Sequence, residues 1–289
     1  MYLSPLRCAS LIASLLVYPA GYVGGDESAE GEGVVLCTPP PGAASLWEQR
    51  ELRFVLIGEL HGTAETPAVF AELVCAAVTE ANKRVLVGLE FPEAARSAFE
   101  TYLESSGTAE DRTSFLAESG WVASVRRFPD GRTSEAMWGM LERLRTLRAA
   151  GLDISVTTFV RPNSAGNETQ TPYEIGMATS LLEAADSDAY DLIVALVGNI
   201  HARKSTFGPT GVDSFDPMAM HLPKESTLTL HAVTGGGEAW NCQPECGVHQ
   251  YDGSPRGSTP GIVLGEDLSP GYHGIVAIGR TTASFPSFR

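Results

Sequence analysis

Two Gly-x-x-His segments, Gly58-Glu59-Leu60-His61 and Gly198-Asn199-Ile200-His201, each close an apolar, β-branched run that reads as a buried strand. A third such run, residues 84–91 (RVLVGLEF), carries Glu90 near its end. Two imidazoles with two carboxylates suffice for proton transfer, or for holding a divalent metal such as Mn, Co, Zn or Fe. Alternate side chains of a strand share one side, so Glu59 and His61 can point together and set a base beside its orienting carboxylate. That carboxylate raises the basicity of the imidazole, which suits a general base near neutral pH. Glycine ahead of each site residue lets the backbone turn or approach a ligand without a Cβ clash. Arg132, in Asp130-Gly131-Arg132, is placed to hold a substrate anion or a developing oxyanion. Taken alone, a strand-end histidine is most often a satisfied polar group and Arg132 a solvated loop residue. The set on one shared edge is what points to function. Asn199, Arg203 and Lys204 flank His201 and carry both readings, with Lys204 read as facing solvent.

The elements must bring these strand ends together. In an open parallel sheet the C-terminal ends of the strands share one edge, where α/β proteins bind their ligands. His61 and His201, about 140 residues apart, can meet there. The run 53–57 (RFVLI) is followed by Thr66-Pro67, an N-cap and first helical turn, and by Val69, Phe70, Leu73, Val74, Ala77 and Val78 at helical spacing. The order repeats with a strand over 85–89 and a helix over 93–103 after Pro92. An amphipathic helix over 134–150 then carries Met137, Met140, Leu141, Leu144 and Leu147 on one face and stops at Gly151. A strand over 154–160, a helix over 173–185 and a strand over 192–197 complete the series. This alternation predicts an α/β fold, a mostly parallel central sheet with helices on both faces. Beyond His201 glycine and proline become frequent. Short runs at 226–233, 261–264 and 274–278 predict antiparallel strands, added from the C-terminal third to the sheet or as a flap beside the site. Tyr102, Trp121 and Trp138 read as core, with a pocket lining as the other option.

With 289 residues and 43% hydrophobic content the chain can bury one large core, taken as a single domain over 46–289. A formal charge of −15 argues against nucleic acid or an anionic membrane as partner. Residues 1–25 have the order of a secretory signal: Arg7, an apolar stretch over 9–17, Pro19, and small residues at Gly24 and Gly25. The apolar stretch falls short of the roughly 20 residues a membrane span wants. An exported protein, periplasmic or secreted and without a transmembrane span after cleavage, is therefore expected, with an acidic flexible lead-in over 26–45. Cys37, Cys75, Cys242 and Cys246 then remain, an even count that suits an oxidising compartment. Of three connectivities, Cys242 with Cys246 would staple a turn and leave Cys37 for Cys75. A metal reading of Cys242 and Cys246 finds only His249 as a further ligand.

Other catalytic templates are missing: His-Glu-x-x-His, Gly-x-Ser-x-Gly, the phosphate-cradling Gly-x-x-x-x-Gly-Lys and Gly-x-Gly-x-x-Gly after a strand. His221, His231, His249 and His273 receive no role. Gly58-Glu59-Leu60-His61-Gly62, Glu90 in Gly88-Leu89-Glu90, and Gly198-Asn199-Ile200-His201 resemble, in matching order, a superfamily that groups ChaN-like haem-binding lipoproteins, TraB and Tiki proteins, and erythromycin esterases. Its marks are two Gly-x-x-His motifs, paired glutamates and an arginine. The resemblance spans residues 53–204, about half of the chain, and is strongest toward the exported bacterial ChaN-like branch. It implies an EreA/ChaN-like fold with Glu59, His61, Glu90 and His201 as site residues and Arg132 as the arginine. Within the superfamily Tiki proteins are metal-dependent proteases, the esterases use a histidine base without an obligatory metal, and ChaN binds haem. This chain has one residue between Glu59 and His61 where the esterases have two, and Gly62-Thr63 where ChaN has an aspartate. The expected function is a hydrolase-like enzyme acting on a small-molecule or peptide substrate, of ester or peptide type. His61 with Glu59 would activate water directly or through a divalent metal held by His61, His201, Glu59 and Glu90. The alternative is a haem- or iron-binding uptake protein without catalysis.

Overall fold

Phe54–Glu59 (β1), Val85–Pro92 (β2), Ile154–Val160 (β3) and Leu192–Gly198 (β4) are almost wholly buried, as strands covered on both faces must be. The computed structural model describes residues 36–49, 51–127, 129–161, 170–186, 189–208 and 213–288. The signal expected over 1–25 and the start of the lead-in lie outside these. The C-terminal third adds Thr227–Cys242 (β5), Cys246–Tyr251 (β6), Gly261–Leu264 (β7) and Gly274–Thr281 (β8). One eight-stranded sheet results, in the order β3-β2-β4-β1-β5-β8-β7, with β6 paired to β5.

The sheet is mostly parallel, as the alternating pattern predicts. β1 runs parallel to β4 on one side and β5 on the other, and β4 lies between β1 and β2. The C-terminal third contributes antiparallel strands, β6 against β5 and β7 against β8, and it also continues the parallel sheet through β5 and β8.

Alternation along β1 divides the core into two layers. Val55 and Ile57 share a core layer with Leu46 of Ala44–Trp47 (α1), Phe70 and Leu73 of Glu65–Thr79 (α2) and Leu141 and Leu144 of Glu135–Ala149 (α6). Phe54 and Leu56 face Met177, Ala178 and Leu181 of Gln170–Ala185 (α7). Ser134 caps α6 by accepting the Met137 N–H. On the α6 side Tyr102 of Arg96–Glu104 (α3), Phe115 of Ala109–Glu118 (α4) and Trp121 of Trp121–Arg127 (α5) pack with Trp138 as one aromatic cluster, the core reading of these rings.

Cys37 pairs with Cys75 of α2, and Cys242 with Cys246 across the β5–β6 turn. The C-terminal tail returns over the front of the sheet: Ala283 bridges Thr63, Pro286 bridges Ser134, and Trp121 Nε1 donates to Ser287 Oγ at 2.9 Å. Among the described residues no helix is long and apolar enough to cross a membrane.

Candidate functional site

Three adjacent strands, β2, β4 and β1, end at one edge and carry the chemistry there. Glu90 is the hub: its carboxylate is 6% exposed and accepts the Gly198 N–H at 2.6 Å on Oε2 and Arg132 Nη1 at 3.1 Å on Oε1. His61 Nε2 stands 3.7 Å from Glu90 Oε2, and His201 Nε2 stands 3.9 Å from Oε1. The two imidazoles thus approach one carboxylate from the ends of two adjacent strands, β1 and β4. The structure brings Glu59, His61, Glu90, Arg132 and His201 together.

Each imidazole is held from behind by its own acid. His61 Nδ1–H donates to Glu59 Oε1 at 3.0 Å; Glu59 is 4% exposed, and its Oε2 is buried with no partner among the described residues, so its charge is directed to the imidazole. His201 Nδ1 lies 2.8 Å from both oxygens of Glu174, a fully buried residue of α7 that also accepts the Met218 N–H. Asp130 performs the same service for Arg132, accepting Nε at 2.9 Å and Nη2 at 2.6 Å. Glu174 was not among the residues expected from sequence. Its signal is that it shares a helical stripe with Met177, Ala178 and Leu181, all buried.

Backbone contact fixes the loops that carry these side chains. A Cβ on Gly131, whose φ is +100°, would lie 2.5 Å from Gly62 N, and one on Gly62, at φ +80°, would lie 1.8 Å from Trp240 O. The loop after His61, the loop before Arg132 and β5 therefore cross in direct contact. The Trp240 N–H donates to Gly62 O at 2.9 Å, and Trp240 Nε1 donates to Pro129 O at 2.8 Å. Gly198 serves differently: a Cβ there would stand 3.1 Å from His61 Nε2 and 3.4 Å from Glu90 Oε2, so glycine keeps the space between the imidazoles clear.

Burial favours the neutral form of every group here, and the charges around it decide otherwise. Burial alone would lower His61, but the Glu59 hydrogen bond and the charges of Glu90 and Glu59 push the imidazole up to about 9. His201 rises against its burial through Glu174 and Glu90. Glu90, which burial would raise, is held below the usual carboxylate range by His61, His201, Arg132 and the Gly198 N–H. The carboxylates that orient His61 also hold its proton, so its basic range lies above neutral pH rather than at it.

Tyr173, in the first turn of α7, sits edge-on to the His201 ring at 6.1 Å. Its phenol makes no hydrogen bond among the described residues and is pushed up to about 12, by burial first and then by Glu90. It remains a proton donor. A cavity of about 530 Å³ opens beside the cluster, with Glu90, Arg132 and Tyr173 in its wall. The flanking residues of the second motif stand apart from it. Asn199 O accepts the Tyr272 hydroxyl at 2.6 Å, Arg203 lies over the Phe207 and Tyr272 rings, and Lys204 pairs with Glu266.

The imidazoles have the form a metal-ligating histidine takes, with Nδ1 on a carboxylate and Nε2 free of hydrogen bonds among the described residues, while Glu90 already accepts Arg132 on one oxygen and the Gly198 N–H on the other. Among the described residues no three His, Cys, Asp or Glu side chains converge as a metal ion requires. Arg132 supplies the positive charge beside Glu90.

No protein-family model and no curated protein matches the chain. Its backbone is similar to solved structures. A succinoglycan biosynthesis protein is 12% identical over 84% of this chain and 92% of that one, with a TM-score of 0.52. A Bacillus cereus protein is 12% identical over 82% and 90%, with a TM-score of 0.51. The erythromycin esterase EreC, a mutant in its open conformation, is 14% identical over 84% and 91%, with a TM-score of 0.48. The first two share the α/β fold with this chain, and at these identities the likeness extends to the fold alone.

Proposed function

We propose that the protein is a hydrolase that cleaves an ester or peptide-type acyl bond by histidine acid/base chemistry, with no metal in the reaction. What carries this reading is the pair of imidazoles, each tied at Nδ1 to a buried glutamate and each turning Nε2 toward Glu90 beneath Arg132. Deprotonated His61 takes a proton from water at Nε2 while Glu59 holds Nδ1–H and stabilises the imidazolium formed. The water oxygen bonds to the acyl carbon, and the C=O π electrons move onto oxygen. Arg132 and the Tyr173 hydroxyl meet that oxyanion, with His201 held beside them by Glu174. When the tetrahedral species collapses, the bond to the leaving group breaks and His61 returns its proton to the departing oxygen or nitrogen. Glu90 acts by position and charge, aligning Arg132 with both imidazoles.

The Arg132 charge already paired with Glu90 supports a metal-free route, so dialysis against a chelator is expected to leave turnover intact, whereas His61→Ala removes about 10²- to 10⁴-fold of it with the fold retained by circular dichroism. Full activity in His61→Ala would overturn the mechanism. Haem as the occupant finds less support: Tyr173 is the cavity-lining side chain suited to iron, and burial first, then Glu90, pushes its phenol up. A haemin titration without a saturable Soret shift is the expected outcome. The paired cysteines suit an oxidising compartment, and export belongs to the proposal.

A further inference from the structure

The cavity beside the cluster has more cations than anions in its wall. The protein carries a formal charge of −15, yet this one cavity has three guanidiniums in its wall, Arg127, Arg132 and Arg161, facing two carboxylates, Glu90 and Asp130. Both carboxylates are already spent on Arg132. Arg161 is neutralised from outside the cavity by Glu93 and Glu183. Arg127 is the remainder: it lines the cavity at the end of α5, is exposed, and makes no ion pair among the described residues. Its neighbour Arg126 does not line the cavity. The same wall includes Phe91, Pro92 and Val160, which offer apolar surface.

We propose that the substrate is a small acidic acyl compound, an ester or amide whose apolar stem ends in a carboxylate that Arg127 holds while the scissile bond lies at Arg132 and His61. This rests on the hydrolase reading and names its substrate class. One guanidinium with no ion pair among the described residues matches one negative charge, and its planar fork matches a carboxylate. A cavity of about 530 Å³ has the capacity for a stem of a few carbons between the two ends.

The test compares the nitrophenyl half-ester of glutarate with nitrophenyl pentanoate, which has a methyl group where the first has its distal carboxylate. Wild-type protein is expected to prefer the half-ester in kcat/KM by about tenfold or more, mainly through KM. Arg127→Gln should cancel that ratio, Arg127→Glu should invert it, and Arg126→Gln should keep it. Titration with hexanoate, which cannot be hydrolysed, reads binding without turnover in the same four proteins. Saturable hexanoate binding that Arg127→Gln weakens, with neither ester cleaved, would keep the carboxylate site and overturn the hydrolase reading. Cleavage of both esters with equal kcat/KM, unaffected at position 127, would keep the hydrolase and overturn the acidic substrate. Neither cleavage nor hexanoate binding would overturn both.

Discussion

Replacing Glu59 by Gln removes one charge from behind His61 and keeps a side chain of the same shape. In the wild-type protein burial pulls the imidazole down, and the Glu59 hydrogen bond with the Glu90 and Glu59 charges lifts it from 6.5 to about 9. That span corresponds to about 3 kcal/mol at about 1.4 kcal/mol per pH unit. Glu59 supplies both the hydrogen bond to the anion and one of the two charges, so Glu59→Gln should bring His61 back toward 6.5, since burial and Arg132 still act downward and only the Glu90 charge still acts upward. Two readouts follow. The rising limb of kcat/KM against pH should have its inflection near 9 in wild type and about two pH units lower in Glu59→Gln, with a reduced plateau because the imidazole loses its anchor. The second readout is stability. A group raised in the folded state stabilises fully below its unfolded value, near 6.5, and that stabilisation disappears as pH rises through the folded value, near 9. Denaturant midpoints should therefore fall between pH 6.5 and 9 in wild type by a part of the about 3 kcal/mol that Glu59→Gln does not show. Tracking the His61 ring protons by NMR assigns the titration directly. An inflection that stays put in Glu59→Gln would refute the coupling.

Other expectations follow from the same geometry. Gly62→Ala forces a side chain at positive φ into Trp240 O, and should cost more than about 2 kcal/mol in urea denaturation as well as most of the turnover, since the loop carrying His61 must move. Cys37→Ser with Cys75→Ser opens a loop of 38 residues and should cost about 4 kcal/mol by chain entropy, against about 2 kcal/mol for the short Cys242–Cys246 loop, read from denaturant midpoints. His231 is held down to about 4 by burial and then by Arg203. A histidine lowered in this way costs nothing above pH 6.5 and destabilises as pH falls toward 4, by about 3 kcal/mol at most. His231→Gln should flatten that acid limb in a thermal melt.

Much of the site is legible in the chain because strand ends are legible. The runs that became β1, β2 and β4 are apolar on both faces, so their first polar residues, Glu59, Glu90 and the histidines after the glycines, fall at the ligand-binding edge whatever the crossovers. Arg132 is readable from its place ahead of α6. Glu174 and Tyr173 are harder, because the expected helix over 173–185 sets Glu174 in its first turn, where an acid has an ordinary role at the positive end of the dipole, whereas α7 begins at Gln170. The burial of Glu174 depends on Met218, 44 residues on. A metal site is illegible for a related reason: donor types can be read from sequence, but the engagement of Glu90 by Arg132 and Gly198 depends on tertiary contact. The turn-rich third hid its parallel strands, since β5 pairs with β1 only through contacts more than 170 residues apart, and its glycines lie where the ladder to β8 shifts register. The same distance conceals the crossing of Gly62, Gly131 and Trp240.

The central claim is a histidine base that works without a metal, and the direct test is ester hydrolysis by chelator-treated protein whose metal content is measured by elemental analysis, beside His61→Ala. Turnover should persist in metal-free wild-type protein, rise with pH toward 9, and vanish in His61→Ala. Turnover that leaves with a bound metal and returns on adding Mn, Co, Zn or Fe, or that survives in His61→Ala, would contradict it.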